Sequence, residues 1–340
     1  MTTMKAIGVN ANHQLTDLTL PKPSASSNQV LVQVGAVSVN PVDTKLKETV
    51  TPKMAPKILG YDAVGTVVET GEEVTKFRVG DQIYYAGSTQ MAGANEEYQL
   101  VDERLASLAP RSLTEAEIAA MPLTSLTAYE LLFEKMQFVG KANQNQRRTL
   151  LIINGAGGVG SIMAQLAHWA GLTVLATSSP KNFDWLKHNQ VDYPLDYHED
   201  LLVQVRDLGY DGLDAVAILY APEDYFDVAA ELIRPFGHIG SIVGSSADLP
   251  LYKIKNKAAS FDWEYMFTKS DADYNVNSQG KTLQLIARLL DQGVLTPTLT
   301  QALTGGINAA SLKQAYDLVS RGQVHGKLVL TGGFNAPVTD

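Results

Sequence analysis

Two hydrophobic rhythms divide the chain. In its first third, short β-branched runs lie between turn-forming residues: 30–39 follows a Pro/Ser/Asn-rich stretch at 21–28, and 65–71 and 80–85 add two more runs bounded by glycine. Many short runs with such punctuation predict the strands of a small barrel or sandwich. Helical spacing then takes over, with Ser112-Leu113-Thr114-Glu115 read as a capping box and 123–133 as a helix. From Thr149 the two periods alternate: strands at 150–154, 173–177, 213–219 and 238–243 are separated by helices at 158–170, 182–189 and 223–233. That alternation predicts a parallel, doubly wound sheet with right-handed crossovers. Helices at 280–292 and 309–320 and a last strand at 327–331 complete the chain, with no internal repeat or low-complexity segment. The expected architecture is α/β, with a parallel Rossmann-type sheet domain at 126–265 inserted between two parts of a β-rich domain, 1–125 and 266–340.

Where the run 150–154 meets the helix 158–170, the chain reads Asn154-Gly155-Ala156-Gly157-Gly158-Val159-Gly160-Ser161. Gly155, Gly157 and Gly160 fall at G-x-G-x-x-G spacing. A turn free of Cβ atoms lets the backbone approach a pyrophosphate, and the new helix points its unpaired N–H groups at that charge. A lone glycine loop also serves as a plain turn. Here a strand precedes it, an amphipathic helix with Ile162, Leu166 and Trp169 on one face follows, and a second strand completes the unit. The setting predicts a dinucleotide site, nicotinamide or flavin, with Gly155, Gly157, Gly158, Val159 and Gly160 as its backbone contacts.

The tip of the second strand bears on which dinucleotide. An NAD site carries an Asp or Glu about 20 residues beyond the first glycine, to accept from the ribose 2′-hydroxyl. This chain has Thr177-Ser178-Ser179-Pro180-Lys181 there, and no carboxylate before Asp184. The hydroxyls of Ser178 and Ser179 and the Lys181 ammonium suit a 2′-phosphate that a carboxylate would repel, so NADP(H) is expected over NAD(H). Lys181 serves equally well as a solvated residue of the next helix.

Composition removes other classes. With 340 residues, 45% hydrophobic and 19% charged, the chain is a globular protein of two ordinary domains. A net charge of −9 and the lack of any basic run argue against nucleic acid as a partner. The sequence shows neither an apolar stretch of membrane-spanning length nor a signal-peptide pattern, which gives the expectation of a cytoplasmic protein. Without cysteine, disulfides, thiolate nucleophiles and cysteine-bound metals are excluded.

Several motifs together resemble the medium-chain dehydrogenase/reductase superfamily along essentially the whole chain. They are Val39-Asn40-Pro41-Val42-Asp43, Leu59-Gly60-Tyr61-Asp62-Ala63-Val64-Gly65, Val79-Gly80-Asp81, Leu123-Thr124-Ser125-Leu126-Thr127-Ala128-Tyr129, the glycine loop and Gly326-Lys327. Within the superfamily the chain is similar to the zinc-independent, quinone-oxidoreductase-like branch. Trp263-Glu264-Tyr265-Met266-Phe267-Thr268 looks like a bacterial subgroup often labelled zinc-type alcohol dehydrogenase. The resemblance implies a GroES-like fold for the β-rich domain. Catalytic zinc in the family sits on a cysteine after the first β-run, a histidine in Gly-His-Glu and a distant third ligand. The corresponding places here hold Asn40 and Gly60-Tyr61-Asp62, the stretch 86–98 lacks histidine as well as cysteine, and His13, His168, His188, His198, His238 and His325 show no ligand-like pairing. No metal is expected.

Alcohol oxidation in this fold relies on a Lewis acid to stabilise the alkoxide. Without one, hydride transfer suits an acceptor that delocalises the new charge, a quinone or an α,β-unsaturated carbonyl. The resemblance places the amide of Asn40 beside the nicotinamide. Tyr61 offers a phenol to a developing oxyanion or else packs in the barrel, and Asp43 matches a family position that also serves to brace loop donors. For the cofactor, it implies Thr127 at a ribose or phosphate, or as a helix N-terminal hydroxyl, with Tyr197 against the adenosine phosphate and Lys327 in the final motif. The leading expectation is NADPH-dependent reduction of a small quinone or enone. An enoyl-thioester reductase would need a basic cluster that the sequence does not show, and an NADPH-binding redox sensor with little turnover is the non-enzymatic alternative. Relatives pair through edge strands of the nucleotide domain, which makes 258–263 the candidate strand of a homodimer. The identity of the acceptor lies in loops such as 45–56 and 267–279.

Overall fold

The computed structural model describes residues 2–334. The chain separates into two compact units, Met1–Leu123 with Phe267–Asp340, and Thr124–Met266.

The first unit is built around one long strand, Gln29–Val39, whose valines and leucine are almost all buried. It pairs antiparallel with Ala63–Thr70 along most of its length, with Tyr98–Asp102 over its first half, and with Lys327–Leu330 at its end. Gln82–Tyr85 and Ala106–Leu108 extend the sheet on one side and Leu299–Leu303 on the other, giving seven strands. The register shifts between Leu31 and Val32 and between Val34 and Ala36. Such irregularities raise the local twist and let a sheet curl. A second, three-stranded sheet holds Leu15–Pro21, Thr3–Val9 and Lys57–Ile58. Ile7, Val30, Val32, Val34, Ile83, Val101, Leu312 and Leu328 meet in a single apolar core. Each such side chain contributes about 1.5–3 kcal/mol on burial.

In the second unit six parallel strands run in the order Tyr193–Asp196, Thr173–Ser178, Thr149–Ile153, Leu213–Ile218, Ile233–Ser241, Ser260–Trp263. Thr149–Ile153 is buried at every position, which explains its unbroken apolar run. The chain steps outward from that strand in one direction, then returns and steps out in the other. The glycine loop leaves its C-terminal end at this reversal, the crevice position where parallel sheets bind ligands. Helix Gly158–Trp169 is buried on nearly every side, with Met163, Ala164 and Gln165 enclosed as fully as Ile162 and Leu166. The α/β class, with a parallel doubly wound sheet in one unit and a β-rich sheet system in the other, is therefore as the sequence predicts.

Several local expectations are corrected. The capping box lies two residues later than predicted: Thr114 is the N-cap, and its backbone N–H and hydroxyl both donate to Glu117. Ser112 instead donates, through N–H and hydroxyl, to Asp291. Helix 123–133 is Pro122–Tyr129 followed by a π-helical turn, Glu130–Lys135. The strand at 238–243 begins at Ile233, directly after helix Pro222–Leu232. Among the described residues no helix is long and apolar enough to cross a membrane.

Candidate active site

In the second unit, strand Thr149–Ile153 ends at Asn154, which takes the left-handed conformation at φ 68°. Its N–H donates to Thr177 Oγ1 at 3.0 Å, and the N–H of Gly155 donates to Thr177 O at 2.9 Å, so the loop is fastened to the neighbouring strand. A Cβ on Gly155 would lie 2.6 Å from Ala176 Cβ, and one on Gly160 would lie 2.5 Å from the carbonyl oxygen of Asn154. Packing alone requires glycine at both places. Gly157 differs, because a Cβ there would meet nothing closer than Asn154 Nδ2 at 3.1 Å. The packing of the fold therefore does not by itself require glycine at that position. The first bond of helix Gly158–Trp169 runs from Ser161 N–H to Gly157 O at 2.9 Å. The N–H groups of Gly158, Val159 and Gly160 precede it and have no intrahelical partner, which is an anion-binding arrangement.

At the tip of Thr173–Ser178, Asn182 Nδ2 donates to Ser178 Oγ at 3.0 Å and to Ser179 Oγ at 3.5 Å. Each hydroxyl therefore keeps its own hydrogen for another acceptor. Lys181 stands exposed on the single 3-10 turn Pro180–Asn182. Tyr197 is 46% exposed with its ring 4.1 Å from that of His198, and its N–H donates to Ser178 O at 3.4 Å. Thr127 is buried within helix Pro122–Tyr129, well past its N-terminus.

The first unit holds a second constellation. Asn40 caps the short helix Pro41–Lys47, which begins Pro41-Val42-Asp43, and its N–H donates to Asp43 Oδ2 at 2.6 Å. Its side-chain Nδ2 donates to Asp62 Oδ2 at 2.8 Å, and its Oδ1 accepts from Lys327 Nζ. Lys327 also donates to Asp62 Oδ2 at 2.8 Å and to Val39 O at 3.3 Å. The N–H of Leu123 donates to Asp62 Oδ1 at 2.7 Å. Asn40 is 2% exposed, Asp62 0% and Lys327 3%. Burial pushes the Asp62 carboxyl up while Lys327 pulls it back down. Burial also pushes Asp43 up, to about 7, and its Oδ1 has no hydrogen-bond partner among the described residues. Tyr61 is buried beside this group with its ring edge-on to Phe267, centroids 4.9 Å apart.

The structure thus brings Asn40, Asp43 and Lys327 into one cluster, whereas the sequence pattern sets Lys327 with the cofactor residues. Its ammonium is engaged by Asp62, Asn40 and Val39. Sequence reasoning missed the role of Asp62, although a signal was present: an acid inside the apolar run Leu59-Gly60-Tyr61-Asp62-Ala63-Val64 must have a partner if it is buried. The cluster offers an amide, a phenol and carboxylates already facing an ammonium. That donor set does not fit zinc, which takes thiolate, imidazole and unencumbered carboxylate. Among the described residues no three His, Asp or Glu side chains assemble as a metal site.

Comparison with known proteins agrees with the two-part fold. The alcohol dehydrogenase GroES-like domain matches residues 26–111, and the zinc-binding dehydrogenase family matches residues 189–330. A zinc-type alcohol dehydrogenase-like protein of Staphylococcus epidermidis is 36% identical over 335 residues, covering 96% of this chain and 99% of that one. The 2-methylene-furan-3-one reductase of Solanum lycopersicum is 28% identical over 319 residues, covering 91% of this chain and 73% of its own. A crystal structure from Rhizobium etli, provisionally assigned as a zinc-dependent alcohol dehydrogenase, superposes with a TM-score of 0.92 at 40% identity, covering 98% of this chain and 99% of that one. On this evidence the chain belongs to the medium-chain dehydrogenase/reductase superfamily, NAD(P)-dependent oxidoreductases, alongside the proteins named zinc-type alcohol dehydrogenase-like.

Proposed function

We propose that this protein is an NADPH-dependent reductase that delivers hydride to quinones or α,β-unsaturated carbonyls without zinc. The observation that carries the reading is the buried Asn40–Asp62–Lys327 cluster, in which an ammonium already neutralises the carboxylate of the Gly60-Tyr61-Asp62 motif, while Asn40 and Tyr61 stand where the family carries its cysteine and histidine ligands. Without a Lewis acid, an alcohol substrate has nothing to hold its alkoxide, whereas a conjugated acceptor spreads the charge over its own π-system. The enone reduced by the tomato relative, a 2-methylene-furan-3-one by its name, is an acceptor of this kind.

Bound NADPH would supply the hydride. On this reading the N–H groups of Gly158 and Val159 receive the pyrophosphate, and Ser178, Ser179 and Lys181 hold the 2′-phosphate, with Thr127 and Tyr197 further along the nucleotide. Asn40 and Tyr61 line the acceptor pocket and donate to its oxygen as charge develops. We place the enzyme in the cytoplasm as a homodimer that pairs through the Ser260–Trp263 edges. The test is NADPH oxidation with quinones, enones, aldehydes and, in reverse, alcohols, with and without a chelator. We expect turnover of the conjugated acceptors, unchanged on chelation, and substoichiometric zinc by elemental analysis. Stoichiometric zinc whose removal abolishes activity would overturn the reading.

A further inference from the structure

We propose that Lys327 is a positioning residue for the acceptor half of the reaction: its ammonium, anchored on Asp62, locks the side-chain amide of Asn40 in one orientation and leaves a single amide N–H for the acceptor oxygen. The inference rests on the reading that Asn40 lines the acceptor pocket.

Almost every hydrogen-bond donor in the cluster is already committed. An ammonium has three N–H bonds, and Lys327 directs them to Asp62 Oδ2, Asn40 Oδ1 and Val39 O. Asp62 is equally occupied: Oδ1 accepts from Leu123 N–H, and Oδ2 accepts from both Lys327 and Asn40. The backbone N–H of Asn40 goes to Asp43. Asn40 has two side-chain N–H bonds, and Asp62 takes one. Of all the side-chain N–H groups in the cluster, only the second one on Asn40 remains uncommitted.

An asparagine amide can turn half a revolution about its last bond and exchange its donor and acceptor ends with almost no change of shape. Here the turn is forbidden at both ends. It would place an N–H against the Lys327 ammonium and the carbonyl oxygen against the Asp62 carboxylate. Both observed contacts are charge-assisted, the stronger class of hydrogen bond. Lys327 therefore does more than neutralise a buried acid. It specifies which end of Asn40 faces which way, and by polarising the amide carbonyl it makes the remaining N–H a better donor.

Lys327→Met alone leaves Asp62 buried without a counter-ion and is a poor test, because the fold itself would suffer. The charge-balanced pair Lys327→Met with Asp62→Asn avoids that defect and removes both constraints on the amide. We expect this double variant to bind NADPH within about threefold of wild type and to lose about tenfold or more in kcat for an enone, the loss expected for a hydrogen bond to developing charge. Asn40→Ala should lose a comparable factor. The triple variant should be no slower than Asn40→Ala alone, since residues that act through one another are non-additive. Lys327→Arg, which keeps the cation, should retain most of kcat.

The outcomes separate the two ideas. If Asn40→Ala is slow but the double variant turns over within twofold of wild type, the positioning role is wrong and the acceptor reading stands. A triple variant slower than Asn40→Ala by the full factor of the double would show that Lys327 acts independently, and overturns the proposal. Asn40→Ala at the wild-type rate would remove both. Should the double variant not fold, Asp62→Asn with Lys327 retained is judged by the same non-additivity with Asn40→Ala.

Discussion

Replacing Gly160 by alanine should damage both the fold and cofactor binding, and the structure sets the size of each effect. The added Cβ would sit 2.5 Å from the carbonyl oxygen of Asn154 and 2.7 Å from Cα and the carbonyl oxygen of Gly155. All three neighbours are backbone, so no side chain can swing away. Restoring ordinary contact, which begins at 3.4 Å, requires the helix start and the strand end to part by about 0.9 Å. Overpacking of this kind costs about 1–3 kcal/mol of stability. The same displacement carries the N–H groups of Gly158 and Val159 away from a bound phosphate. A hydrogen bond set at about 2.9 Å then exceeds the useful limit of about 3.2 Å. Each such bond to a charged group is worth about 1.5–3 kcal/mol, so NADPH affinity should fall roughly ten- to a hundredfold for each one lost.

Gly157→Ala provides the contrast. Its Cβ would meet only the end of the Asn154 side chain, at 3.1 Å, so the melting temperature should barely move. Binding should still weaken, because the methyl group occupies the space through which the pyrophosphate reaches the backbone. Gly244→Ala, where nothing lies within 4 Å of the new Cβ, is the neutral control. Thermal unfolding and fluorescence titration of NADPH on the three variants supply the comparison. Wild-type affinity and stability in Gly160→Ala, or loss of stability in Gly157→Ala alone, would refute this account of the loop.

Three further expectations follow from named contacts. Asn182→Leu should weaken NADPH about tenfold and leave NADH unchanged, because it releases the hydroxyls of Ser178 and Ser179 from the amide that orients them; an equal loss for both cofactors would show that these hydroxyls do not read the 2′-phosphate. If the chains pair through the Ser260–Trp263 edges as proposed, Trp263→Arg should shift the protein from dimer to monomer in sedimentation; an unchanged dimer mass would remove that edge from the interface. Asp43, which faces Lys327, Asp62 and Tyr316 in the core, predicts a pH effect of definite sign. Its folded-state pKa of about 7 lies above the ordinary 3.8, so the fold favours the neutral acid: that contribution is full below about pH 4 and is lost as pH rises through about 7. At about 1.4 kcal/mol per unit, the loss approaches about 4 kcal/mol. Asp43→Asn should accordingly flatten the fall in unfolding free energy between about pH 4 and about 7; denaturation curves parallel to wild type across that range would exclude the effect.

The local features of the fold were legible where sequence-adjacent residues determine them. Strand, glycine loop and helix from Thr149 to Trp169 form one continuous stretch, and the apolar run, the Cβ-free turn and the helical spacing all point to the same structure. The missed elements show where such reasoning weakens. Helix Leu201–Asp207 had a readable start, since Asp200 accepts from the N–H groups of Leu202 and Val203, but seven residues are too few for a clear period. Ser112 failed as a helix cap because a residue far along the chain, Asp291, takes its N–H and hydroxyl. Strand Leu15–Pro21 gave little apolar signal because none of its residues is fully buried.

The Asn40–Asp62–Lys327 cluster was legible only as a set of unpaired requirements. Asn40, Asp62 and Lys327 are 22 and 265 residues apart in sequence, and no periodicity links them. What the sequence contained was an acid in one apolar run and a lysine at the head of another, Lys327-Leu328-Val329-Leu330. Each would cost several kcal/mol if buried alone, and two such residues of opposite sign become tolerable when they bury together. The pairing of Lys327–Leu330 with the end of Gln29–Val39 makes that possible, because it sets Leu328 opposite Val39, one residue from Asn40. Sheet register, and not local sequence, therefore assembles the charged cluster. The same register explains why Lys327, read from the Gly326-Lys327 motif as a cofactor residue, could not be paired with Asp62 from the sequence.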